Sequence, residues 1–464
     1  MAKKILLIYP KSPILNREDR CQQPTKELLI IPPLPPTDLL YLAAIAEKCG
    51  LEAYIRDYSL GGDFEEDLKN IKPDYLLANI ATTTLEGDLK VFETAKQILP
   101  DIINIAKGAI FLTQNSKIML KNKALTYIIS GEAEETLKDI LEEQLEPKDI
   151  LGLWYREGFV AKFSGVRPFI ENLDELPFPA RHLINNNLYR RPDNNKVQAV
   201  IKVSRGCPHH CFFCLATPTS GQKVRMRSSE NIISEIRECM TKYKIKNFIF
   251  WSDIFNQDRE WTMNLCQQII KSGLKFTWSA NTRADTADER MAKLMYKAGC
   301  RLVSIGSESG SQFILDKIGK NITLNEIRDT VKAFKNAKIK IYNYFVLGLP
   351  WEDEDTANAT IDFAIELDTD FVSFYTAAPL PGTRFYNFAI KEMHENIENY
   401  NNAYYAPMLN SYSLSKEQIL NFHKLAVKKY YLRPLYILKM LTKIRSLYEL
   451  KSYFTAGIKI LLNR

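Results

Sequence analysis

The stretch SRGCPHHCFFCLA, residues 204–216, gathers three of the chain's eight cysteines, Cys207, Cys211 and Cys214, within eight positions. A disulfide consumes two thiols, and a four-thiolate zinc site needs one ligand more than this run supplies. Thiolates are soft donors suited to iron–sulfur clusters or zinc. Three of them on a cube of four irons leave one iron open, able to chelate the amino and carboxylate groups of a small molecule. The competing arrangement is a zinc knuckle completed by His209 or His210. Zinc motifs usually draw their ligands from two separated pairs, so both histidines read as loop residues. Cys239, Cys266 and Cys300 lie on or beside apolar periodic segments and read as core.

Such a loop needs a scaffold, and the sequence from Gln198 onward supplies a regular one. Strand-like runs at 198–203, 247–251, 275–280, 302–306, 340–346 and 371–376 alternate with helical patterns at 229–243, 258–271, 286–298, 324–337 and 354–366. Six consecutive units predict a partial (β/α)6 barrel of the TIM type, whose site lies at the C-terminal strand ends. Those ends offer Ser204, Arg205 and Gly206, then Ser252, Asp253 and Asn256, then Asn281 and Arg283, and then Ser307, Glu308, Ser309 and Gly310. Thr323 with Glu326, and Ser415 with Gln418, have capping-box spacing. The first 150 residues also alternate, with apolar runs ILLIY, EAYIRDY, DYLLANIA, AIFL and TYIIS. They predict a Rossmann-like, doubly wound parallel sheet, so the chain is α/β throughout, with a helical C-terminal tail. A helix capped by Thr37 or Asp38 is expected to stop at Gly50. The sheet's crevice would be edged by Thr82, Thr83, Gly108, Gly131 and Glu132. Residues 151–195, with closely placed prolines, read as a connector, giving domains at 1–150, 196–400 and 401–464.

SRGCPHHCFFC, followed by six βα units, resembles the signature of the radical S-adenosylmethionine (SAM) superfamily. The resemblance implies that Cys207, Cys211 and Cys214 hold a [4Fe–4S] cluster whose open iron binds SAM, and that the pair generates a 5′-deoxyadenosyl radical. It carries Phe213, Ser252, Asp253, Arg283 and Glu308 over as cofactor-binding positions, although FWSDIFNQD lacks the glycine pair often found after the second strand. The first half, with PPTDLLYLAAIAEKCG, ANIATTT, SGEAEETLKDIL and ENLDELPFPARHL, resembles the cobalamin-binding domain fused to many such enzymes. That implies a cobalamin near Thr82, Thr83, Gly108, Gly131 and Glu132. The Asp-x-His-x-x-Gly motif is absent and the chain's first histidine is His182, so cobalt would lack a protein imidazole. The implied chemistry is methyl transfer or rearrangement at an unactivated carbon of a small-molecule or lipid-like substrate, with flavodoxin or ferredoxin as reductant. A methylthiotransferase acting on RNA and a non-catalytic cobalamin or metal sensor are the alternatives. The first would need three N-terminal cysteines, and only Cys21 and Cys49 lie there.

The net charge of +7 is concentrated at one end, since residues 428–464 hold nine Lys or Arg against one acid, Glu449. The remainder is close to neutral and gives no strong nucleic-acid signal. The apolar run Ile5–Tyr9 is too short for a signal peptide, and no stretch reaches the roughly 20 apolar residues of a membrane span. A cytoplasmic protein is expected, with the basic tail able to touch the inner membrane face as an amphipathic helix.

Overall fold

The computed structural model describes every residue except 1, 13, 19–20, 25–32, 192–193, 398–399, 401–405, 445 and 462–464. The start of the expected C-terminal region and two of its basic residues, Arg445 and Arg464, therefore lie outside the described residues. The strands are β1 (Lys4–Tyr9), β2 (Ile14–Glu18), β3 (Cys21–Pro24), β4 (Glu52–Asp57), β5 (Tyr75–Asn79), β6 (Ile103–Lys107), β7 (Tyr127–Ile129), β8 (Leu153–Glu157) and β9 (Val160–Phe163). Then come β10 (Ala199–Lys202), β11 (Ser204–Arg205), β12 (Arg225–Met226), β13 (Asn247–Trp251), β14 (Thr277–Thr282), β15 (Cys300–Glu308), β16 (Lys340–Leu347) and β17 (Phe371–Thr376).

The first sheet runs β4-β1-β5-β6-β7-β8-β9, parallel as far as β7. Its apolar character follows from burial on both faces. In β1, Ile5 and Leu7 enter one core while Leu6 and Ile8 enter the other, each fully buried. Every such side chain contributes roughly 1.5–3 kcal/mol. β2 and β3 form a separate hairpin.

Three expectations need correction. AIFL is a 3-10 turn, Ala109–Leu112, and the strand lies upstream at Ile103–Lys107. Gly108, at φ 150, ends that strand where a side chain would strike the Ile80 backbone. The expected connector begins too early, because β8 and β9 pair antiparallel and extend the first sheet. Its reversal at Gly158, φ 60, is a hairpin turn. The helix Thr37–Lys48 starts as expected but has Pro36 at its N-cap with no side-chain cap, and Asp38 is engaged elsewhere. The stop at Gly50, φ 82, holds.

The second sheet runs β10-β13-β14-β15-β16-β17 in sequence order, all parallel, as the six-unit alternation predicts. Helices Ser229–Lys242, Arg259–Lys271, Glu289–Lys297, Leu324–Asn336 and Glu354–Leu367 cover it and share its core. Both capping boxes are present. The helix Lys416–Tyr431 closes the exposed edge of β17, where the Tyr431 hydroxyl accepts from Val372 N–H at 2.9 Å. Helices Pro434–Lys443 and Leu447–Leu461 follow. Among the described residues no helix is long and apolar enough to cross a membrane.

Candidate active site

The cysteine loop leaves the barrel after β10 and is clamped at its base by β11 pairing with β12. Gly206 turns the chain there at φ 104, and a Cβ at this position would lie 2.1 Å from the Lys223 carbonyl oxygen. Only glycine permits that approach. Its N–H donates to Asp253 Oδ2 at 2.8 Å, and Cys207 N–H donates to the Gly221 carbonyl at 2.9 Å. The Thr217 hydroxyl donates to the carbonyls of Cys207, at 3.2 Å, and His209, at 2.8 Å.

Phe212 anchors the far side of the loop. Its buried ring meets those of Trp351, Phe385 and Phe388 at centroid distances of 5.0, 5.0 and 5.4 Å. Its N–H donates to Ile318 and its carbonyl accepts from Phe385 N–H. With the backbone held this way, Cys207, Cys211 and Cys214 line one cavity and none forms a disulfide. Ala216 N–H donates to the Cys214 sulfur at 3.4 Å. Phe213 is on the cavity wall.

The opposite wall comes from the C-terminal ends of β13, β14 and β15, which supply Asp253, Arg283 and Glu308. Glu308 occupies a left-handed backbone position, φ 66, at an irregularity in the β15–β16 register. Strain of that kind persists where the surroundings fix it and clusters at sites that use it. Its carboxylate pairs with Lys320 Nζ at 2.7 Å, both side chains being about nine-tenths buried. Burial alone would lower the Lys320 pKa, but the Glu308 charge raises it above the ordinary lysine value. Arg283 spans the wall, with Nε donating to Asp285 Oδ2 at 3.0 Å and Nη2 to the Lys320 carbonyl. Ser252 is buried behind Asp253 and is not part of the lining. His209 lines the cavity with Nε2 held by Gln257 Oε1 at 3.0 Å, while the His210 carbonyl accepts from Arg384.

The donor set fits an iron–sulfur cube. Such a cluster takes one thiolate per iron, at separated corners of a pocket open on one side. A single zinc ion needs its ligands to converge, and among the described residues no three His, Cys, Asp or Glu side chains do so.

A second cleft separates the two sheets. Asp38, Lys107, Gly131, Glu132 and Glu134 face Lys202, Ser204, Arg205, Trp251 and Asp253 across it. Glu132, expected from sequence near the cofactor, is engaged by two arginines. It holds Arg225 through two bonds of 2.9 Å and Arg205 at 3.1 Å. Arg205 also meets Glu134 at 2.5 Å. Burial would raise the Asp38 pKa, but Lys202 and then Lys107 hold it well below the usual carboxylate range. Thr82 and Thr83 form a buried turn after β5, outside the cleft lining; Gly108 closes β6 beside them and Gly131 enters the cleft at φ 90.

Lys320, Asn281, Ser304, Gly306 and Tyr344 complete the cysteine cavity and were not singled out from sequence as cofactor-binding. Ser304 and Gly306 were within reach, because they alternate with Glu308 on one strand. Lys320 was not, since it arrives from a loop beyond the helix Gln312–Lys317.

Residues 201–364 match the Radical SAM superfamily. An uncharacterized methyltransferase of Pyrococcus horikoshii is 30% identical over 436 residues, covering 89% of this chain and 94% of its own length. Among solved structures, the cobalamin-dependent SAM radical enzyme OxsB, with aqua-cobalamin and SAM bound, superposes with a TM-score of 0.75 at 15% identity. That match covers 99% of this chain and 72% of OxsB. The radical SAM methyltransferase TsrM of Kitasatospora setae, with cobalamin and a [4Fe-4S] cluster, gives 0.68 at 18% identity, covering 86% and 79%.

Proposed function

The chain belongs to the radical SAM superfamily, and from that premise we propose that it is a cobalamin-dependent enzyme transferring a methyl group to, or rearranging, an unactivated carbon of a small molecule. The observation that carries this reading is that Cys207, Cys211 and Cys214 line one cavity together with Asp253, Arg283, Glu308 and Lys320. Those three thiolates would hold a [4Fe–4S] cluster, which would supply one-electron reductive cleavage of a C–S bond of SAM, with methionine as the leaving group and the electron drawn from an external reductant. The residues do the rest. Asp253 fixes the loop by accepting from Gly206 N–H, so the cluster ligands and the β13 rim move as one body. Glu308, held by Lys320 at 2.7 Å, offers oxygen acceptors for hydroxyl groups of a bound nucleoside. Arg283, buried and held by Asp285 and the Lys320 carbonyl, puts a cation on the same wall, suited to an anionic end of the ligand.

Cobalamin enters this reading through the likeness to OxsB and TsrM. Of the residues expected near it, Gly131 and Glu132 line the cleft between the sheets, while Thr82 and Thr83 are buried after β5. His182, the first histidine of the chain, is paired with Glu47 at 2.8 Å. Cobalamin in this cleft would carry the methyl group. The reductant is a low-potential carrier of the flavodoxin or ferredoxin type. Oxygen-sensitive chemistry and reduced thiols fit a cytoplasmic setting.

Anaerobic reconstitution with iron, sulfide and hydroxocobalamin, followed by desalting and metal analysis, tests this. About four irons and about one cobalt per chain are expected, with 5′-deoxyadenosine released on adding SAM and dithionite. Iron without cobalt removes cobalamin from the reading. Both metals without deoxyadenosine favour a sensor.

A further inference from the structure

We propose that helices Pro434–Lys443 and Leu447–Leu461 dock the protein on an anionic phospholipid surface. The first buries one face, whereas the second buries no residue and is only partly covered at Tyr453 and Ile460. Tyr436 and Met440 are buried, whereas Leu435, Leu438, Leu441, Leu447, Phe454 and Leu461 are 54–85% exposed. Six large apolar side chains so placed on two adjacent helices exceed the scattered exposure of an ordinary surface. Between the helices runs an apolar groove of about 290 Å³, lined among others by Tyr431, Met440, Phe454 and Leu461.

Charge selects the occupant. Arg433 and Lys439 pair with Asp368 at 3.3 and 2.9 Å, and Lys443 pairs with Asp370, which fixes the first helix to the barrel. Lys429, Lys451 and Lys459 remain exposed beside the apolar stripes, and Glu449 is the single acid of residues 428–464. A second copy of the chain would set these lysines against their own kind. An anionic bilayer offers an apolar medium for the leucines and counter-charge for the lysines together. The second helix, at 15 residues, is too short to span a membrane and suits lying in the interface.

The docking face also fixes orientation. Tyr430 and Tyr436 donate to the carbonyls of Thr369, at 2.6 Å, and Asp370, at 2.7 Å, just before β17 begins. The cysteine cavity opens at the other end of the barrel, about 20 Å away along a six-residue strand. A docked enzyme therefore keeps its mouth toward water and takes its substrate from there.

Cosedimentation of the full chain with vesicles tests the proposal. Binding is expected to phosphatidylglycerol–phosphatidylcholine vesicles, to fall steeply with salt, and to be absent for phosphatidylcholine alone. Replacing Lys429, Lys451 and Lys459 with Gln should weaken binding about 100-fold, at roughly fivefold per lysine. A Leu438→Ser/Phe454→Ser variant should lose binding while keeping its helical circular dichroism and bound iron. Equal binding to both vesicle types, no binding at low salt, or a stable dimer by light scattering that L438S dissolves would each overturn it.

Discussion

Gly206→Ala is the substitution whose cost the structure specifies most closely. The new Cβ would stand 2.1 Å from the Lys223 carbonyl oxygen, where real contacts stay beyond about 3 Å, so one backbone must retreat by about 1 Å. Neither side is loose. Lys223 sits in the hairpin that clamps the loop, and Gly206 is tied to Asp253. Holding alanine at φ 104 costs about 1–3 kcal/mol, and the overpacking a further 1–3 kcal/mol. The sum, about 2–6 kcal/mol, falls on the segment that carries Cys207. Anaerobic urea unfolding of the cluster-free protein should show a lower midpoint at unchanged slope. Reconstituted protein should hold clearly less iron than the parent. Gly273→Ala is the control, since its φ is 70 but its Cβ would meet nothing within 4 Å, and it should cost only about 1 kcal/mol. A Gly206→Ala protein as stable as the parent and fully loaded with iron would refute the reasoning.

Lys320→Met strands a buried Glu308 carboxylate and should cost about 3–5 kcal/mol by denaturant titration. The K320M/E308Q double variant should recover most of that stability while calorimetry shows SAM binding still impaired, and recovery of both would make the pair merely structural. Arg225→Met removes partners from Glu132, Ile170 and Ser220 at once. It should cost about 3–5 kcal/mol and speed limited proteolysis between the sheets. Glu352 is pushed up to about 8 by burial, with Asp353 adding to the shift and the Gly348 and Leu349 N–H groups opposing it. A carboxyl raised in the folded state binds its proton there and not in the unfolded chain. Its contribution is therefore favourable below about pH 4.5 and is lost as pH rises through 8, a swing of about 3–5 kcal/mol. Glu352→Gln should flatten stability against pH across that window, and an unchanged slope would count against it.

The barrel was legible because a repeated strand–helix unit declares its strands, its helices and the rim that carries the chemistry. The cysteine spacing singled out the loop, and the structure places Asp253, Arg283 and Glu308, read from their positions at strand ends, on the cavity that the cysteines line. Elements whose apolar pattern has another cause were misread. Ala109–Leu112 is apolar because it fills space beneath the rim, not because it pairs, and Leu153–Phe163 hides a hairpin whose outer strand is half exposed. Glu132 was placed at the right rim but given a ligand, because nothing local shows that Arg205 and Arg225 reach it from the other domain. Lys320 had no spacing rule to find it, since its partner acid lies 12 residues upstream, across a helix.

The central claim is that three thiolates hold a four-iron cluster with one corner open to SAM. Low-temperature electron paramagnetic resonance of the anaerobically reconstituted, dithionite-reduced protein measures this directly. The account predicts a [4Fe–4S]⁺ signal that shifts on adding SAM and is lost in Cys211→Ala. A signal indifferent to SAM, or one that survives that substitution intact, would contradict it.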